Sequence, residues 1–275
     1  MILYDYHVHS NFSSDSSTPM EEMIEKAIKL GLKTLCFTDH MDYDYPYVEG
    51  GYSFIFDPEE YLNKLNELKY KYRSCIKILT GIELGLKPGI TEEVEKLVNK
   101  YPFDFIIGSS HVVNNIDPYY SVYWEGKDED EMIHGYFETI IENCKAFPQF
   151  HVYGHIDYIV RYSPSKGLGT AGNTPYSYHK YADILDKVLT TILSLDKGIE
   201  INTSGLKYGL GYAHPKTDVL KRYRELGGEL ITIGSDAHKP EHLCYDFSYV
   251  EDLLKSLGFK YYATFEAGKP NYIKL

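Results

Sequence analysis

The sequence predicts one α/β domain built on a parallel sheet that is closed, or nearly closed, on itself. Short apolar runs alternate with amphipathic stretches along the whole chain, the strand-then-helix order of a parallel sheet. No repeat, low-complexity tract or long linker divides the 275 residues, a length ordinary for a single α/β barrel. An open, doubly wound sheet is compatible with the same alternation, but no glycine-rich dinucleotide fingerprint follows any strand.

The elements follow in order. The first apolar run covers residues 2–6. A helix comes next, opened by Thr18-Pro19-Met20-Glu21 with a capping residue, a proline in the first turn and an acid at the positive end of the dipole. It presents Ile24, Ala27 and Ile28 on one face and stops at Gly31. Further strands are expected at 34–37, 76–82, 103–107, 151–153, 198–201, 230–233 and 261–265, where the runs are short, apolar and rich in β-branched or aromatic residues. Helical patterns lie between them at 58–72, 91–100, 129–146, 178–195, 216–226 and 249–257.

Composition narrows the function. Hydrophobic residues make up 43%, ordinary for a globular core, and the 28 tyrosines are expected to pack half-buried with wet hydroxyls. A net charge of −12 repels a phosphate backbone, so a nucleic-acid partner is not expected. No apolar run approaches the ~20 residues of a membrane helix, and MILYDYHVHS lacks the basic start of a signal peptide. Cys36, Cys75, Cys144 and Cys244 are widely spaced without a CxxC pair. The expectation is a reduced, cytoplasmic protein without a membrane partner, its oligomeric state unknown.

Histidine placement carries the chemistry. His7-Val8-His9 follows the first strand, Thr38-Asp39-His40 the second, Gly81-Ile82-Glu83 the third and Ser109-Ser110-His111 the fourth. Gly154-His155-Ile156-Asp157 and Ser235-Asp236-Ala237-His238 end two later strands. In a parallel barrel these ends share one face, where active sites are built, and six of the eleven histidines occupy them. Alternate strand residues point the same way, so His7 pairs with His9 and Asp236 with His238. Imidazoles mixed with carboxylates suit zinc, manganese or iron, and Glu83 can bridge two ions through its two oxygens. Singly, each piece has a plainer reading: packing for the HxH pair, a solvated acid for Glu83, a helix cap for Ser235 or Asp236. Their joint occurrence argues for a site. His134, His151 and His179 are read as surface or structural, while His214 and His242 are open to a place at the site mouth.

The ordered set HxH, TDH, GIE, SSH, GHID and SDAH closely resembles the polymerase-and-histidinol-phosphatase (PHP) family, from His7 to His238. Stand-alone members of this length, with DYHVHS at the start and an acid such as Asp15 soon after, look like phosphatases that hydrolyse L-histidinol phosphate to L-histidinol and phosphate in histidine biosynthesis. The resemblance implies a distorted (β/α)7 TIM-like barrel, a single domain over residues 1–275, holding three divalent ions of zinc, manganese or iron. It assigns His7, His9, Glu83 and Asp236 to the first ion, Glu83, His111 and His155 to the second, and Asp15, His40 and His238 to the third. Asp15 stands where the family alternates between histidine and aspartate.

The chemistry fits this implication. Bound metal lowers the pKa of water from 15.7 to ~7, so a bridging hydroxide can attack phosphorus in line. Glu83 would hold the bridging pair, and Asp236 and His238 are both placed as general acids for the leaving group, although a bound ligand makes a poor acid. Arg161, after GHIDYIV, is a candidate phosphate clamp, with a surface salt bridge as the alternative. In Asn202-Thr203-Ser204-Gly205-Leu206-Lys207, similar to a family NTSGL stretch, Asn202 and Ser204 would hydrogen-bond substrate and Lys207 would supply charge; a capped loop is the alternative. Residues 42–52, with Asp42, Asp44, Glu49 and several tyrosines, would form either an ordinary acidic loop or a lid meeting a cationic amine and an imidazole.

Competing functions are a PHP-type protein tyrosine phosphatase, another small-molecule phosphoesterase, a nuclease or editing module, a metal-dependent amidohydrolase and a non-catalytic domain. The acidic chain lacks the basic track of a nuclease. An amidohydrolase would commonly bridge its metals with a lysine where Glu83 stands. No CxxxxxR thiol-phosphatase loop is present, and the DxD at Asp42-Tyr43-Asp44 lacks the apolar strand that aspartyl phosphatases place before it.

Overall fold

The computed structural model describes residues 1–46, 51–169 and 174–275. In chain order its elements are β1 (Tyr4–Val8), α1 (Met20–Lys29), β2 (Thr34–Phe37), β3 (His40–Met41), α2 (Pro58–Tyr72), β4 (Lys77–Gly85), α3 (Thr91–Lys100) and β5 (Phe105–Ser109). They continue as α4 (Glu129–Ala146), β6 (Val152–Tyr153), α5 (Ala182–Ser194), β7 (Gly198–Asn202), α6 (Ser204–Lys207), α7 (Thr217–Glu225), β8 (Ile231–Gly234), α8 (Phe247–Ser256), β9 (Tyr261–Glu266) and β10 (Lys269–Lys274).

Seven strands pair in parallel in the order β1-β2-β4-β5-β6-β7-β8, and the short β3 joins the far end of β4, setting His40 beside Glu83. Between the ends of β8 and β1 three backbone hydrogen bonds among the described residues stand in place of a ladder, the third and longest from Ala237 N to His7 O (3.4 Å). Asp236 N donates to His7 O (2.8 Å) and His9 N to Ala237 O (2.9 Å). The barrel is therefore nearly closed, and the closure falls at the strand ends that carry the histidines.

Side-chain alternation explains the layering. Outward residues such as Leu35, Ile82 and Ile201 pack under Met23, Ile24 and Ala27 of α1, Leu65 and Leu68 of α2 and Leu185 and Val188 of α5. Inward residues Tyr6, Cys36, Leu79, Phe105, Ile107 and Val152 fill the lower half of the barrel. One step further along the same strands the interior turns polar. The pairing of β1 with β2 shifts register between Asp5 and Val8. This bulge adds a residue, so Tyr6 closes the apolar layer and His7 still reaches the polar one.

The eighth expected strand forms at β9 but does not enter the barrel. Ala267 (φ 48°) and Gly268 (φ 73°) make a two-residue turn, and β9 pairs antiparallel with β10. The hairpin plugs the barrel's lower mouth: Ala263 and Phe265 join the inner apolar layer, and Tyr6 Oη donates to Phe265 O (2.9 Å). Thr18 is also corrected. It does not cap α1; its hydroxyl donates to His238 O (2.9 Å) and ties the first loop to the last strand end. Asp57 and Asp128 do cap α2 and α4. Among the described residues no helix is long and apolar enough to cross a membrane.

Candidate metal centre

Glu83 ends the inward face of β4, fully buried, and the other strand ends converge on it. Its Oε1 lies 2.8 Å from His155 Nε2 and 3.2 Å from His111 Nε2, and accepts the Ser109 hydroxyl at 2.7 Å. Its Oε2 lies 3.0 Å from His7 Nε2, 3.0 Å from His40 Nδ1 and 3.5 Å from His9 Nε2. Asp236 Oδ1 stands 3.4 Å from His9 Nε2 and 3.5 Å from His238 Nδ1. Asp15 Oδ2 is 3.1 Å from His238 Nε2 and 3.7 Å from His40 Nε2. All nine expected ligands are thus brought together.

The donor set fits metal ions. His9 Nε2, His40 Nδ1, His238 Nε2 and Asp15 Oδ1 are buried without a hydrogen bond. Such atoms are costly unless something else engages them. Among the described residues four groups of donor atoms are compact enough to hold an ion: His7, His9 and Glu83; His7, His155 and Asp236; His40, Glu83 and His111; and His9, His40 and His238. These groups overlap and cross the partition the resemblance implies, because Glu83 and His40 sit between neighbouring groups.

Electrostatics agree. Burial alone would raise the Glu83 carboxyl, but His7, His40 and His111 hold it well below the usual range, and His7 and His9 do the same for Asp236. Burial opposes charge on His7 and His40, yet the acids around them push both well above an ordinary imidazole. His9, buried and beside His238 and His40, is pushed well down. Without metal the acids are balanced by protons on imidazoles, the positions divalent cations would take over.

A cavity of about 410 Å³ opens above this cluster, and Asp15, His40, His111, His155, Asp236 and His238 reach it. Arg161 lines its wall. The guanidinium donates to Ser204 Oγ (3.2 Å) and to the Tyr162 hydroxyl, and lies 4.4 Å from the centre of the Tyr208 ring. Among the described residues no carboxylate lies within ion-pair distance of it, which argues against the surface salt bridge. Ser204 is buried behind Arg161, in the short α6, which was not expected. Lys207 Nζ donates to Asp236 O (2.9 Å) from behind the strand end. Asn202 does not reach the cavity. It is buried on the inward face of β7, its Nδ2 near Glu200 (3.2 Å) and Asp236 (3.3 Å), because strand alternation turns it under the cluster. Of residues 42–52, Tyr45 and Tyr52 line the cavity. Asp42 is buried against His111, Asp44 pairs with Lys87, and Glu49 lies outside the described residues. His242 lines the cavity, whereas His214 is buried with Nδ1 2.6 Å from Asp157.

Sequence reasoning missed the groups behind the histidines. Glu200 Oε1 takes His7 Nδ1 at 2.6 Å, and its Oε2 accepts His155 N at 3.0 Å. Asp42 Oδ2 takes His111 Nδ1 at 2.7 Å. Ser13 Oγ contacts His9 Nδ1 (3.0 Å) and donates to Asp39 (2.8 Å). A carboxylate or hydroxyl at one ring nitrogen fixes the tautomer and turns the other nitrogen's lone pair inward, as at metal-ligating histidines. Glu200 had a readable signal, an acid inside the apolar run Gly198–Asn202.

A nearly closed parallel barrel with a histidine–carboxylate cluster at its strand ends defines a class of barrel proteins whose mouth is built to be able to hold metal ions. The chain belongs to the PHP domain family, which matches residues 5–204. A histidinol-phosphatase of Lactococcus lactis is 31% identical, covering 96% of this chain and 95% of the relative. A probable histidinol-phosphatase of Clostridium acetobutylicum is 32% identical over 94% and 95%. The crystal structure of the Lactococcus lactis histidinol phosphate phosphatase, complexed with zinc, L-histidinol and phosphate, superposes with a TM-score of 0.85 at 29% identity, covering 98% of each chain.

Proposed function

We propose that this chain is a metal-dependent histidinol-phosphatase that hydrolyses L-histidinol phosphate to L-histidinol and phosphate, a step of histidine biosynthesis. The observation that carries the reading is the cluster of candidate ligands gathered around Glu83, six of whose members reach a cavity whose wall presents Arg161, a guanidinium with no carboxylate partner among the described residues. The likeness to histidinol-phosphatases over nearly the whole chain supports the substrate, and supports residues 1–275 acting as one barrel domain.

In this reading three divalent ions of zinc, manganese or iron are held by His7, His9, Asp15, His40, Glu83, His111, His155, Asp236 and His238. When bound, such ions activate water at neutral pH and neutralise charge on phosphate oxygens. Glu83 joins the imidazoles from both sides through its two oxygens. Arg161, steadied by Ser204 and Tyr162, forks onto the phosphate. Lys207 adds positive charge behind Asp236, and Asp236 and His238 reach the cavity floor, where the ions they would hold neutralise charge on the leaving oxygen. Four free cysteines support a reducing, cytoplasmic setting.

The test is an assay of metal-replete protein on L-histidinol phosphate beside a phosphotyrosine peptide and p-nitrophenyl phosphate. A kcat/KM for histidinol phosphate far above the other two is expected. Weak, similar rates on all three would keep the metallophosphatase chemistry and void the substrate.

A further inference from the structure

The cavity holds a second ionisable group without an ion-pair partner among the described residues. Asp117 lines it, outside the metal cluster, in the loop after β5. Its Oδ2 accepts the Tyr45 hydroxyl at 2.5 Å and its Oδ1 accepts Tyr119 N at 2.7 Å. Among the described residues no lysine, arginine or histidine stands within ion-pair distance of it. The other acids nearby are occupied: Asp42 by His111, Asp44 by Lys87, and Asp15 by His40 and His238.

Asp117 and Arg161 line one cavity without pairing. Tyrosine rings intervene: Tyr119 packs on Tyr162 at 5.5 Å, and Tyr162 holds the guanidinium. On the other flank Tyr45 and Phe54 lie 4.9 Å apart, and Phe54 packs on His40 at 4.8 Å. A half-buried carboxylate without a counter-ion is costly until a cation arrives. Two opposite charges held apart across an aromatic-walled cavity match a ligand that is anionic at one end and cationic at the other. The rings add stacking and cation–π attraction for a flat cation.

We propose that Asp117 is a specificity-determining residue that receives the cationic end of the substrate, a protonated amine or imidazolium, while Arg161 takes the phosphate. The inference rests on the proposed phosphatase reading and deepens it. Asp117 selects phosphomonoesters that carry a positive charge a few atoms from phosphorus, and Tyr45 orients its carboxylate.

The experiment measures kcat/KM of the metal-replete enzyme on L-histidinol phosphate and on p-nitrophenyl phosphate, and reads their ratio. Asp117→Asn is expected to lower the ratio by about 10–100-fold, the worth of one hydrogen bond to a charged group. Asp117→Glu should restore part of it, and Tyr45→Phe should lower it several-fold less than Asp117→Asn. A wild-type enzyme without preference for histidinol phosphate overturns the proposed reaction and this inference with it. A wild-type preference that Asp117→Asn retains within about twofold overturns the inference alone. Should Asp117→Asn fail to fold, a Tyr45→Phe ratio equal to wild type overturns it as well.

Discussion

Five imidazoles lie within 3.5 Å of the Glu83 oxygens, an arrangement tolerable in a buried site because His7 and His40 answer the charges of the acids around them while His9 is held neutral by burial and its imidazole neighbours. His7, pressed between Glu83 and Glu200, shows the division of labour. One ring nitrogen faces the inner cluster and the other is fixed from behind. Glu83→Gln and Glu200→Gln should therefore differ in kind. Glu200→Gln should weaken metal affinity by ~10–100-fold, the usual worth of a partner behind a ligand, with turnover recovering at high metal. Glu83→Gln should lose metal and turnover by more than that, without rescue. Chelator-competition titrations beside kcat at rising metal separate the two. A Glu200→Gln affinity equal to wild type would return Glu200 to a packing role, and full rescue of Glu83→Gln by metal would remove Glu83 from its bridging place.

At the scale of elements, the barrel ends are treated differently. The upper end is closed by backbone hydrogen bonds beside the cluster, and the lower end by the β9–β10 hairpin, whose Phe265 packs on Phe105 (5.1 Å) and His151 (4.8 Å). Phe265→Ala should cost about 3–5 kcal/mol as a cavity mutation, read as a fall in the urea midpoint. A midpoint shift worth less than about 1 kcal/mol would mean the hairpin merely rests on the barrel. The hairpin also marks what a local pattern can reveal. Residues 261–265 have the composition of a strand, and alternation reports burial without reporting which strand is the partner. The Ala267-Gly268 turn decides that. Helices α2, α3 and α4 run where their periodicity puts them, and the histidines lie at strand ends as their spacing implies. The β1 bulge, the hook from Thr18 to His238 and the turning of Asn202 under the cluster were not legible. Each depends on a neighbour distant in sequence: β2, the β8 end and Asp236. Asp117 was missed for the same reason, since its significance lies in the cations it does not touch.

For the whole molecule, proton and metal compete for one set of atoms, and the signs can be worked out. His7 and His40 are held above the ordinary imidazole value in the metal-free chain by the acids around them, chiefly Glu200 and Glu83 for His7 and Glu83 and Asp15 for His40. Such groups stabilise the fold fully below about pH 6.5, the unfolded value, and lose that contribution as pH rises through the raised folded value. The depressed Glu83 and Asp236 act in the opposite sense. Their contribution is present above the ordinary carboxylate range and is lost only as pH falls through the lowered folded values, far below neutrality. Between about pH 6.5 and 8 the His7 and His40 contribution to the metal-free protein should therefore weaken as pH rises, since the acids stay charged while their protonated partners are lost; His9, held down by burial and by His238 and His40, costs stability only as pH falls below about 6.5. Divalent ions reverse this, because neutral imidazoles ligate and protonated ones do not, so affinity falls below about pH 6. Metal bound to the folded state alone at 100 times its Kd stabilises by about 2.7 kcal/mol. The Tm difference between metal-loaded and chelator-treated protein should be small at pH 5.5 and widen steadily toward pH 8. A difference that stays constant over that range would mean the ions and protons do not share these histidines, and would move the metal centre away from the strand ends.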